Sequence, residues 1–171
     1  MRKITKAFSA RDIDHRVAAI AAEIRDDAGD APLFLLGILK GASCFLADLL
    51  RRIPGDAGYG FIDVVRDVTE TEVATAVEID YLSWIDIRGR NVYVIKDVVS
   101  TGVIETYLLT QLRQKEPASL KLVALLDRPD ARTVDLTADF VAFQAADGSY
   151  AGYGLEIDDR YGNLPYIASV K

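Results

Sequence analysis

Apolar residues recur at Ile13, Val17, Ile20, Ala21 and Ile24, the three- and four-residue spacing of one helical face. Ser9 with Asp12 three residues later forms a capping-box pattern ahead of them, and Gly29 ends the periodicity. One amphipathic helix is therefore predicted to open the chain. The pattern then changes to the continuous run Leu33-Phe34-Leu35-Leu36-Gly37-Ile38, bounded by Pro32 and Gly41, which suits a strand buried on both faces. After Gly41 the spacing of Phe45, Leu46, Leu49 and Leu50 is helical again.

This strand, turn, helix order returns. Asn91 to Ile95 reads as a buried strand, Asp97 to Gly102 as a polar turn and Ile104 to Leu112 as a helix, and a further strand from Leu120 to Leu126 stops at Asp127-Arg128-Pro129. Two more strands, Tyr59 to Val65 and Thr75 to Leu82, flank the polar stretch Arg66 to Glu72 as an exposed hairpin. The segment from Phe140 to Val170 mixes short apolar runs with Gly and Asp and reads as a small hood over one end. Strands alternating with helices predict an α/β fold, a parallel twisted sheet flanked by helices, with ligands at the carboxyl ends of the strands. The 171 residues suit a single domain.

Composition narrows the function classes. A net charge of -6 and a pI near 4.8 argue against a general binder of nucleic-acid backbone, so any anion site is local. One cysteine, Cys44, and one histidine, His15, exclude internal disulfides and Cys- or His-rich metal sites. The longest apolar run is too short to span a bilayer, and no signal peptide is expected because Arg11, Asp12 and Asp14 follow the basic first residues. A cytoplasmic protein is the expectation. Cys44, amid Ala42, Phe45 and Leu46, reads as a small buried hydrophobe, His15 as a surface residue and Trp84 as packing or a subunit contact.

The segment richest in chemistry is Val92-Tyr93-Val94-Ile95-Lys96-Asp97-Val98-Val99-Ser100-Thr101-Gly102. A buried strand delivers Asp97 to its carboxyl end, and a small-residue loop then opens a helix. Unpaired N–H groups at such a helix start carry the positive end of the helix dipole and can cradle a phosphate monoester. The alternative is that Ser100 only caps the helix.

Here the chain resembles the type I phosphoribosyltransferases, whose signature is four apolar residues, two acids, two apolar residues, an acid and then Thr-Gly. Three further segments lie in the same order: Gly37-Ile38-Leu39-Lys40-Gly41 with Phe45 to Leu50, Leu125-Leu126-Asp127-Arg128-Pro129, and Gly152-Tyr153-Gly154-Leu155 with Tyr161 and Asn163 to Ile167. Together they resemble the hypoxanthine-guanine branch over nearly the whole chain. The resemblance implies the type I fold with a hood built from C-terminal and N-terminal residues. It also implies phosphoribosyl pyrophosphate with Mg2+ and a purine base as ligands, and a homo-oligomer.

Carried over residue by residue, Leu39, Lys40 and Gly41 match the pyrophosphate loop, where the family has a cis, non-proline peptide. Read alone, Lys40 is a solvated loop lysine. Asp97 matches the second acid of the signature, which contacts the ribose hydroxyls. Ser100, Thr101, Gly102, Val103 and Ile104 match the 5′-phosphate loop, and Glu156 falls at an aspartate near magnesium. Arg128 falls at the lysine that reaches the purine 6-oxo group, read alternatively as a surface arginine, and Tyr150 lies beside the position of the stacking aromatic.

The departures cluster. Lys96 stands at the first ribose-binding acid, which disfavours magnesium but puts an ammonium within reach of phosphate oxygens. Ser100 stands at the aspartate that manages the purine proton, and general acid–base catalysis is worth about 10²- to 10⁴-fold. Ile104 removes a hydroxyl from the phosphate loop, Gly162 replaces an arginine that reaches pyrophosphate, with Arg160 two residues away, and Arg66 to Ala76 lacks the Ser-Tyr pair of the mobile loop. Two readings follow. One is a purine phosphoribosyltransferase of nucleotide salvage with lowered activity, and Lys96, Asp97 and Ser100 as its catalytic positions. The other is a degenerate member binding phosphoribosyl pyrophosphate or a purine nucleotide as a sensor, or as partner of an active paralogue.

Overall fold

The computed structural model describes residues 3–66, 77–80 and 84–171. Along them run β1 (Ile4–Phe8), α1 (Ala10–Ala28), β2 (Leu33–Ile38), α2 (Ser43–Arg52), β3 (Ala57–Arg66), β4 (Val77–Asp80), β5 (Asn91–Val99), α3 (Val103–Arg113), β6 (Ser119–Asp127), β7 (Phe140–Gln144), β8 (Ser149–Ala151) and β9 (Ile167–Val170). The larger sheet has the order β4-β3-β2-β5-β6-β7. Its pairings are parallel except β3 with β4, so five strands run in one direction and end on one edge.

The local reasons are those the pattern predicted. Asp12 donates its backbone N–H to Ser9 Oγ at 3.1 Å while the Ser9 N–H donates to Asp12 Oδ2 at 2.9 Å, closing the capping box of α1. Ile13, Val17, Ile20, Ala21 and Ile24 are the buried face of that helix, and every residue of β2 is buried. One face of the sheet packs with α1 and α2 around Leu35, Phe45, Tyr93 and Ile95, and the other packs with α3 around Leu36, Val94, Leu108 and Leu112. A strand covered on both sides must be apolar along its whole length, which is why β2 shows no alternation.

Four expectations need correction. Strand β5 does not end at Ile95: Val98 and Val99 are β-branched and pair with Leu126 and Asp127 of β6, so the ladder continues through the predicted turn. Phe140–Gln144 is not hood but β7, parallel to β6 in the main sheet. The hood is a smaller antiparallel sheet of order β1-β9-β8, in which β1 near the N-terminus pairs with β9. Trp84 is 85% exposed rather than packed within the chain, and Cys44 is exposed because it lies off the α2 face made by Phe45, Leu46 and Leu49. Residues 67–72 of the predicted hairpin tip lie outside the described residues, whereas Val77–Asp80 falls within the predicted Thr75–Leu82 strand. His15 is exposed. Among the described residues, no helix is long and apolar enough to cross a membrane.

At the edge opposite the loops, Tyr93 donates its hydroxyl to Asp27 Oδ2 at 2.6 Å and Lys121 pairs with Asp27 Oδ1, tying α1 to β5 and β6. Hydrogen bonds from Lys121 and then Tyr93 hold the Asp27 carboxyl below its ordinary value. A depressed carboxyl contributes stability above its unfolded value of about 3.9, and loses it as pH falls through the lower folded one. Urea unfolding should therefore find Asp27→Asn less stable than the parent at pH 7, with the gap narrowing below about pH 4.

Candidate active site

Because β2, β5 and β6 are adjacent and parallel, the loops that leave their carboxyl ends meet at one edge of the sheet. These are Leu39 to Gly41 after β2, Ser100 to Gly102 after β5 and the segment from Arg128 after β6.

The first two loops touch through Asp97. A Cβ placed on Gly41 would lie 2.1 Å from Asp97 Oδ2, so the carboxylate rests directly against the Gly41 main chain and no larger residue fits. Asp97 Oδ1 accepts the Val98 N–H at 2.8 Å and forms an ion pair with Lys96 Nζ. The side chains of Lys96 and Asp97 are 18% and 22% exposed, so the pair is largely buried toward the carboxyl end of β5 and still reaches solvent. Beside it the Leu39–Lys40 peptide is cis, as the resemblance implies.

Lys40 is a solvated loop lysine, its side chain 67% exposed, but it is not unpaired. Its ammonium pairs with Glu156 and, at 3.4 Å, with Asp159, and the Glu156 hydrogen bond is the main cause of its raised pKa. A Cβ at Gly162 would come within 2.8 Å of Glu156 Cγ, so the glycine leaves the room through which Glu156 runs to Lys40. The hood thus reaches the loop after β2. It is anchored there by Tyr153, whose hydroxyl donates to Asp48 Oδ2 at 2.6 Å and whose pKa is pushed up by burial and by that bond. Gly154, at φ +94°, has room for no side chain against the Gly41 carbonyl oxygen, 2.8 Å from where its Cβ would be.

The loop after β5 is held from beneath by the segment after β6. Arg132 donates to the Ser100 carbonyl at 2.6 Å and pairs with Asp127, and the two side chains are 11% and 9% exposed. The Thr133 N–H donates to the Thr101 carbonyl at 3.0 Å, and the Arg128 N–H to the Val99 carbonyl at 2.9 Å. With those carbonyls engaged, the helix start offers N–H groups to a ligand. The N-cap of α3 is Gly102 at φ +83°, so Ser100 is not its cap, and the Thr101 hydroxyl accepts the Val103 N–H at 3.5 Å. Val103 is exposed and Ile104 partly so, on the first turn of α3.

Arg128 is no surface residue. Its side chain is 19% exposed, it pairs with Asp147, and its Nε is buried without a partner among the described residues. With Asp130, Ala131, Ala145 and Asp147 it lines a cavity of about 320 Å³. Tyr150 does not line that cavity: its ring packs against the core and its hydroxyl donates to the Ala146 carbonyl at 3.1 Å.

The model of the phosphoribosyl transferase domain family matches residues 9–158. The hypoxanthine-guanine phosphoribosyltransferase of Bacillus subtilis is 35% identical over 164 residues, covering 96% of this chain and 91% of that protein. The crystal structure of a hypoxanthine-guanine phosphoribosyltransferase (hpt-2) from Bacillus anthracis superposes with a TM-score of 0.87 at 33% identity over the whole of both chains. A hypoxanthine phosphoribosyltransferase from Staphylococcus aureus gives 0.90 at 32% identity, covering 97% of this chain and 90% of that one. The chain belongs to the hypoxanthine-guanine phosphoribosyltransferase family.

As a phosphoribosyltransferase family member it departs from its signature at a charged position. Magnesium would need carboxylate oxygens, and Asp97 and Glu156 each pair with a lysine ammonium. Among the described residues no three His, Cys, Asp or Glu side chains cluster as a metal cage. With both carboxylates engaged by ammonium groups, neither is free to ligate a divalent cation without first giving up its lysine.

Sequence reasoning places Asp127 in a motif without a role and does not single out Arg132. A pair five residues apart across the 3-10 turn Pro129–Ala131 has no periodic signature. Replacing Arg132 by Ala would leave Asp127 buried without its counter-charge and should cost about 3–5 kcal/mol in chemical unfolding. Gly41→Ala should displace the Asp97 carboxylate, lowering stability by about 1–3 kcal/mol in chemical unfolding and weakening nucleoside monophosphate binding at least about tenfold by calorimetry.

Proposed function

We propose that the chain is a purine phosphoribosyltransferase, transferring the phosphoribosyl group of phosphoribosyl pyrophosphate to hypoxanthine or guanine in nucleotide salvage. The observation that carries this reading is the contact of Asp97 with Gly41, which sets a carboxylate between a candidate phosphate cradle and a candidate pyrophosphate loop. The names of the relatives support the same substrate class.

In this reading the main-chain amides of Thr101 to Ile104 hold the 5′-phosphate, aided by the helix dipole. Asp97 accepts hydrogen bonds from the ribose hydroxyls and fixes the sugar. Leu39, Lys40 and Gly41 face the pyrophosphate, with the Lys40 ammonium exchanging Glu156 for a leaving-group oxygen. Arg128 reads the purine 6-oxo group from the wall of its cavity, and Tyr150 supports the base side through packing rather than as a demonstrated stacking partner. The reaction breaks the bond from the anomeric carbon to pyrophosphate and forms one to the purine nitrogen, so position and electrostatics are most of what the protein supplies. Ser100 is a poor base near neutral pH, which lowers turnover without removing the binding site.

Magnesium, the cofactor the resemblance implies, has no resident cage in this reading, and no step depends on one. The ligands are phosphoribosyl pyrophosphate and a purine, not nucleic acid. A homo-oligomer is part of the proposal, with exposed Trp84 and Tyr59 available for contacts between chains. So is a cytoplasmic setting, where a chain with Cys44 as its only cysteine has no internal disulfide to lose. The comparisons give no support to a purely non-catalytic binder or a paralogue's partner over this reading.

Incubation of the full chain with phosphoribosyl pyrophosphate, magnesium salt and each purine should yield the nucleoside monophosphate by chromatography. Ser100→Asp should raise the rate at least about tenfold. Absence of nucleotide from the parent and from this variant would overturn the reading.

A further inference from the structure

Two carboxylates and a divalent cation sum to no net charge, and so do one carboxylate and one ammonium. At the end of β5 this chain has the second arrangement, with Lys96 Nζ paired to Asp97 Oδ1. An ammonium carries three N–H donors, and among the described residues Asp97 takes one, leaving two for an incoming acceptor. The other oxygen of Asp97 touches Gly41 of the loop after β2, so the Lys96 ammonium sits one carboxylate away from that loop. A few residues along, Lys40 is held by Glu156, which occupies space left by Gly162. The acids that could ligate a metal thus already have cationic partners supplied by the chain itself.

We propose that Lys96 takes the place of a divalent cation in this site, so that the diphosphate end of the ligand binds to the protein without metal. A half-buried ammonium offers a fixed point charge and strong, charge-assisted hydrogen bonds to phosphate oxygens. Asp97 holds that charge at the strand end while its own charge is neutralised, which removes the repulsion a bare carboxylate would exert on the anion. Lys40 adds a second ammonium once diphosphate oxygens compete with Glu156 for it. The inference rests on the proposed phosphoribosyl site and adds to it the cation requirement of that site.

Calorimetric titration of the full chain with inorganic pyrophosphate, in excess EDTA and again in millimolar magnesium chloride, tests it. Inosine monophosphate titrated in parallel reports the phosphate cradle separately. Pyrophosphate should bind in EDTA with an affinity within about threefold of that in magnesium. Lys96→Met keeps the length of the side chain and removes its charge. It should weaken pyrophosphate in EDTA at least about tenfold, and inosine monophosphate, which carries no diphosphate, by a clearly smaller factor. Lys96→Glu should abolish pyrophosphate binding in EDTA and regain it with magnesium. Parental binding of pyrophosphate only with magnesium, with inosine monophosphate still bound in EDTA, would overturn this inference and leave the phosphoribosyltransferase reading standing. An unchanged Lys96→Met would do the same. Failure of both ligands under both conditions would overturn the two together.

Discussion

The site depends on one close approach: a carboxylate oxygen of Asp97 against the main chain of Gly41, at a distance that excludes even a methyl group. That contact requires β2 and β5 to be neighbours, parallel and in fixed register, since a slip of one residue would turn Asp97 to the other face of the sheet. The register is held by apolar packing on both sides of the sheet, with Leu35, Tyr93 and Ile95 on one face and Leu36, Val92 and Val94 on the other. A core that fixes register therefore also fixes the spacing between two loops that carry the chemistry.

The hood is coupled to the same point. Gly154 backs onto the Gly41 carbonyl, Tyr153 bonds to Asp48 of α2, and Glu156 reaches Lys40. On the far side, Arg132 and Asp127 grip the loop after β5 by its Ser100 carbonyl. Each loop of the site is thus tied to an element other than the strand it leaves, by a buried or half-buried polar bond. Loops held in this way keep the geometry that their own short sequences do not impose.

Much of this was legible along the chain because burial on both faces and helical periodicity leave strong marks. The capping box at Ser9, the unbroken run of β2 and the buried face of α1 follow directly from local rules. Strand β7 does not stand out because Phe140–Gln144 is a short edge strand, half-buried and followed after two alanines by Asp147 and Gly148, so its pattern blends with the hood. Strand β1 is mostly exposed, with Thr5 and Lys6 between half-buried Ile4 and Phe8, so no apolar run announces its pairing with β9. The motif residues Lys40, Asp97, Gly102 and Arg128 were found by resemblance, but their partners were not. Glu156 with Lys40, and Arg132 with Asp127, are contacts between distant or aperiodic positions that only the fold creates.

The departures from the family pattern look like losses when read one at a time, but the geometry links two of them. Gly162 lacks the side chain that would collide with Glu156, and Glu156 uses that space to reach Lys40. An acid that pairs with a lysine is a poor ligand for a cation, and the same holds for Asp97 beneath Lys96. Each ammonium gives its carboxylate a charge-assisted hydrogen bond, so removing the lysine would leave an uncompensated, part-buried acid. The Lys96–Asp97 pair is neutral and Lys40 offsets part of the charge of Glu156 and Asp159, so an overall charge of -6 does not by itself bar an anionic ligand from the site.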